Sequence, residues 1–162
     1  MNHPLDAYAQ HAELIGRVVI SWNEVQWAIY RLFVVFSGMP EARAHDVFFK
    51  LRNDANQRDI TLAAGKTALA TEPALWGKFQ ATMCALDKLA GERNAAVHTM
   101  WGFNFYEALT GEAQLFFGPM AGWHRSLKDD FPAQCGELRK ELEGHFVNLT
   151  EILRSLLSAS KG

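Results

Sequence analysis

From Leu14 onward the apolar residues Leu14, Val18, Trp22, Val25, Ile29, Leu32 and Phe36 recur at steps of three and four, the spacing of one helix face. This predicts a long first helix that stops at Ser37-Gly38-Met39-Pro40, where glycine can take the left-handed cap and proline can open the next helix. A short second helix follows over about 41 to 51. Asn53-Asp54 supplies an N-cap for a third helix through Ile60, Leu62 and Leu69, and Thr71-Glu72-Pro73 restarts the chain with a cap and a first-turn proline. The fourth helix carries the seam Phe79, Met83, Leu86, Ala90, Arg93 and Val97, so a charged residue interrupts the apolar stripe near its end.

Between Thr99 and Pro119 the period changes to two. Trp101, Phe103 and Phe105 alternate, Leu109-Thr110-Gly111-Glu112 can turn, and Gln114 to Phe117 returns, which predicts one small hairpin. After Pro132 a last helix aligns Leu138, Leu142, His145 or Phe146, Leu149, Ile152 or Leu153, and Leu156. No repeat and no linker interrupts this order. The expected fold class is all-α or mainly α, a helical bundle of four to five helices with one small β-hairpin insertion, forming a single domain over 1–162.

Composition narrows the function classes. With 49% hydrophobic and 12% aromatic residues the chain is globular rather than disordered, and 162 residues suffice for one stable core. Sixteen Lys and Arg against 18 Asp and Glu leave a formal charge of -2, so any nucleic-acid site is a local patch and not a whole-molecule field. Cys84 and Cys135 stand alone, without metal-ligand spacing or a disulfide framework, which fits a reduced cytoplasmic protein. No basic stretch leads into an apolar run and no long apolar segment occurs, so neither export nor a membrane partner is expected. No cofactor and no metal are expected either.

Several chemical signals fail on inspection. Ala64-Gly65-Lys66-Thr67 resembles the end of a phosphate-binding loop, but Ile60 stands where that loop requires glycine, and the context is helical. His3, His11, His45 and His124 have no second ligand at metal spacing and read as surface or core histidines. His145, against the Leu142, Phe146 and Leu149 seam, reads as a packed helical histidine.

One run survives: Glu92-Arg93-Asn94-Ala95-Ala96-Val97-His98, placed where the fourth helix turns polar. A guanidinium offers phosphate oxygens a rigid, permanently charged fork of donors, whereas an imidazole can exchange a proton near neutral pH. In RNA the 2′-hydroxyl is itself the nucleophile, so a base for its proton and a cation for the charge gathering on phosphorus suffice for cleavage without metal. At about 100° per residue Arg93 and His98 lie about 140° apart, while Asn94 and His98 share a face. Two copies about a twofold axis would bring both pairs to one groove, which predicts a homodimer. With 9 Arg and 6 His in 162 residues, chance supplies about 0.33 such Arg–His pairs per chain, and requiring Asn after the Arg lowers this to about 0.014. The alternative for the same residues is a helix-terminal pair, His98 capping carbonyls and Arg93 bridging Glu24 or Asp87.

At Glu92 to Gly102, ERNAAVHTMWG, the chain resembles the HEPN family of small α-helical proteins, whose signature is R-x(4-6)-H, often R-N-x-x-x-H. Weaker agreement extends over about 140 residues, through Trp22 and Glu24 on the first helix, Phe48 and Phe49, and Arg58. Many members are metal-independent ribonucleases that act as dimers, often as toxins paired with an antitoxin or in phage defence, while others are silent scaffolds. The resemblance implies Arg93 and His98 as catalytic residues, Asn94 as a polar helper, single-stranded RNA as substrate and a cognate antitoxin as a possible partner. The competing expectation is a catalytically silent dimeric module that binds a nucleotide or a protein. The mildly acidic balance and the hairpin depart from the family pattern; Phe103, Phe105, Phe116 and Phe117 are there either core or a base-stacking surface.

Overall fold

The computed structural model describes residues 4–99, 101–107, 113–119 and 130–159. They form five helices and one strand pair: α1 (Pro4–Ser37), α2 (Glu41–Lys50), α3 (Asp54–Ala68), α4 (Pro73–His98), β1 (Trp101–Glu107), β2 (Ala113–Pro119) and α5 (Phe131–Ala159). The mainly-α, bundle-like class expected from the periodicity is the class observed.

Local chemistry sets the boundaries. Gly38 takes φ 61°, a left-handed conformation that glycine adopts without steric cost, and so ends α1. Asn53 caps α3, its Oδ1 accepting from the Asn56 amide at 2.8 Å. Asp130 does the same for α5, accepting from the Ala133 amide at 3.0 Å, with Pro132 in the first turn where its missing N–H costs nothing. Only the start of α1 departs far from expectation. It begins at Pro4, ten residues before the apolar stripe, because Ala7, Ala9, Gln10, Ala12 and Glu13 are good helix formers that need no buried face; Glu13 pairs with Arg17 one turn on.

The chain divides into two compact units. One comprises Ser21–Leu89 with Lys140–Gly162. Its core is aromatic and aliphatic: Tyr30, Phe33, Phe48, Phe79, Leu86, Leu142, Leu149 and Ile152 are all buried. Phe36 and Phe79 meet edge-on at 5.1 Å between centroids. Gly65 lets α3 approach them, since a Cβ there would fall 2.7 Å from Phe79 Cε1 and 3.2 Å from Phe36 Cε2. The glycine of the failed phosphate-loop motif is therefore a packing glycine. Arg58, 5% exposed, donates from Nε and Nη2 to Asp87 Oδ1 at 2.8 Å and lies 5.7 Å from the Trp22 ring centre, while Trp22 Nε1 donates to Asp54.

The other unit comprises Met1–Ile20 with Ala90–Arg139. Val18, Ala96, Phe131, Cys135 and Leu138 are buried in it, and burial pushes the Cys135 thiol up to about 11. The antiparallel strand pair sets Trp101 opposite Pro119, Phe103 opposite Phe117 and Phe105 opposite Leu115. Phe116 pairs with Asn104, one residue out of phase with the other three phenylalanines. The turn expected at Leu109 to Glu112 lies outside the described residues, as do His3 and His124.

Candidate functional site

The R-N-x-x-x-H run occupies the last two turns of α4, inside the unit that holds the strand pair. The helix ends there for a local reason. Both the amide and the hydroxyl of Thr99 donate to the Ala95 carbonyl, closing the last turn directly after His98. His98 is thereby fixed as the final helical residue.

The seam of α4 follows the expected line only as far as Leu86. Phe79, Met83 and Leu86 are buried, but the next buried positions are Leu89 and Ala96, with Ala90, Arg93 and Val97 half-buried. The buried stripe has rotated by one position toward its small and aliphatic neighbours. Arg93 sits half-buried at the border of that stripe, whereas Asn94 and His98 are exposed on adjacent turns. The fold therefore brings Asn94 and His98 to one water-facing side and sets Arg93 off it.

The sequence left His11 as a surface or core histidine, and the structure places it in an aromatic cluster of this unit. Its ring lies 3.9 Å from that of Trp101 and is stacked on Phe131 at 4.8 Å, and the two aromatics are themselves 4.7 Å apart. The cluster joins α1, β1 and the first turn of α5, and Trp101 is three residues beyond His98. Burial lowers the His11 pKa. The only sequence signal was a histidine on the face of Leu14 and Val18.

His145 is half-buried in the other unit, its Nδ1 enclosed and unpartnered, and burial lowers its pKa against the opposing pull of Glu141. Its placement agrees with the packed histidine expected. A histidine with a folded pKa below its unfolded value adds stability above that unfolded value, about 6.5, and loses it as the pH falls through 6.5 toward the folded pKa. The thermal midpoint should therefore drop between pH 7 and pH 5, and His145→Leu should flatten that slope. An unchanged slope in the variant would exclude His145 as a source.

Among the described residues no three His, Cys, Asp or Glu side chains lie together as a metal group, and no helix is long and apolar enough to cross a membrane. No protein-family model, no curated protein and no solved structure matches the chain.

Proposed function

We propose that the chain is a metal-independent endoribonuclease of the HEPN type, acting on single-stranded RNA as a homodimer. The reading rests on one observation: the R-N-x-x-x-H run ends α4 with Asn94 and His98 exposed on adjacent turns and Arg93, directly before Asn94, half-buried at the edge of that face. His98 takes the proton of a 2′-hydroxyl, whose oxygen then forms a bond to the adjacent phosphorus. The bond from phosphorus to the 5′-oxygen breaks, and that oxygen takes a proton from water, giving a 2′,3′-cyclic phosphate and a 5′-hydroxyl, while His98 returns its proton to solvent. Arg93 holds the charge gathering on the phosphoryl oxygens, and Asn94 hydrogen-bonds the same group. A role as a toxin or phage-defence component, held in check by an antitoxin and working in the cytoplasm, accords with this chemistry.

The separation of Arg93 from His98 on one helix favours a second reading, in which the run serves a silent dimeric module that binds a nucleotide or a protein. One assay separates the two. The dimeric protein in EDTA should cut a labelled single-stranded RNA and leave a cyclic phosphate, and a substrate with a single 2′-deoxy nucleotide should resist cleavage at that position. Equal cutting at the deoxy position would refute the mechanism. A dimer by light scattering that cuts no RNA would leave the binding module.

A further inference from the structure

The unit formed by Ser21–Leu89 and Lys140–Gly162 exposes two large aromatic side chains close together, Trp27 at 54% and Phe49 at 49%. Every other aromatic contributed by α1 and α2 to this unit is buried: Trp22, Tyr30, Phe33, Phe36 and Phe48. The buried Tyr30 contacts both exposed rings, its centroid 5.2 Å from each, so Trp27 and Phe49 are no more than twice that distance apart. His45 extends the row, 4.7 Å from Phe49. The rings are braced from behind, Phe49 against Phe48 at 5.1 Å and Trp27 against Tyr30, so their outer surfaces are presented on rigid helices.

The charges beside these rings are arranged unevenly. Lys50 and Arg52 follow Phe49 directly; both are exposed, and neither forms an ion pair among the described residues. Arg31, one turn after Trp27, faces Glu41 at 3.7 Å, so that acid already meets a cation; Asp46 lies 3.6 Å from the His45 ring, and Glu24 is left exposed before Trp27. Two half-exposed rings offer about 200 Å² of apolar contact, far below the roughly 800 Å² per partner of a stable protein interface. That area matches one or two stacked bases, and cations next to aromatic faces are the means by which unpaired nucleic acid is held without sequence preference.

We propose that this face of α1 and α2 binds single-stranded RNA, with bases stacked on Trp27 and Phe49 and phosphates beside Lys50 and Arg52. The proposal rests on the reading of the chain as an RNA-cleaving protein, yet it uses none of the residues assigned to cleavage.

The test is anisotropy of a labelled twelve-nucleotide uridine oligomer with the full-length His98→Ala protein, which binds without cutting. Trp27→Ala and Phe49→Ala, added singly, should each weaken binding about 5-fold to 100-fold, Phe49→Tyr should retain it, and a duplex of equal length should compete poorly. Lys50→Ala with Arg52→Ala should make affinity less dependent on salt. Circular dichroism checks that the surface variants fold. Wild-type affinity in both ring variants overturns the proposal, and if the protein still cuts RNA the nuclease reading stands without it. Loss of dimers in the ring variants with RNA affinity unchanged also overturns it, assigning the face to a second copy. Loss of RNA binding in the ring variants of a protein that cuts no RNA supports the surface and refutes the nuclease.

Discussion

His98→Ala and Arg93→Ala are each expected to slow RNA cleavage by roughly 10²-fold or more, the usual scale for losing a proton-transfer group or an electrostatic stabiliser of the transition state. The two variants differ in what else they disturb. His98 is exposed at the last position of α4, and the bonds that end the helix belong to Thr99, so alanine leaves the fold intact and the loss falls on rate alone. Arg93 is half-buried, and its truncation also removes packing along the stem. Arg93→Lys therefore belongs beside it: the charge and most of the stem survive, the planar fork does not, and the rate should lie between the wild type and Arg93→Ala. His145→Ala is the control, expected to lower the thermal midpoint while activity per folded dimer holds. Single-turnover cleavage of a labelled RNA reads all four. If both alanine variants keep the wild-type rate, the mechanism is wrong.

Phe79→Ala is expected to carry the largest stability cost, about 3–5 kcal/mol. The ring is fully buried, meets Phe36 edge-on and Trp76 at 6.2 Å, and fills the space that Gly65 leaves open. Removing it opens a cavity walled by α1, α3 and α4 that none of these helices can close, because each is held by other buried residues of the same unit. Against a total stability of about 5–15 kcal/mol this is a large fraction, and the midpoint of thermal unfolding should fall by about 10 °C or more. Phe49→Ala, a ring of the same size but half in water, should cost under about 1 kcal/mol. Denaturant midpoints of the two variants make the comparison directly, and equal shifts would contradict the packing around Phe79.

Much of the fold was legible because its causes are local. The three-and-four spacing from Val18 to Phe36 marks a buried helix face, and Val18, Trp22, Val25, Ile29, Leu32 and Phe36 are all buried. Gly38, Asn53 and Pro73 act within a few residues of themselves, and the boundaries fall where their backbone chemistry puts them. The switch from Thr99 onward to alternation by two marks the strand pair. For the candidate site the sequence supplied the residue types, their order and their angular separation, since these follow from helix geometry alone.

Contacts between distant segments decided the rest. Spacing marked Arg93 as an interruption of the seam; only the packed structure moved the buried positions to Leu89 and Ala96 and left Arg93 at the border. Arg58 carries a charge that a sequence reading would place in water, yet it is buried because Asp87, 29 residues away, and the Trp22 ring meet it there. His11 joins Trp101 and Phe131 across most of the chain's length. Trp27 is the reverse case, a residue type that composition assigns to the core and the fold leaves in water beside Phe49. The sequence by itself determined the helices, their ends apart from the start of α1, and the identity of the candidate catalytic groups, because hydrogen bonding and periodicity act over a few residues. Only the tertiary structure decided which of those groups meet water and which meet one another, because burial depends on what the rest of the chain brings alongside.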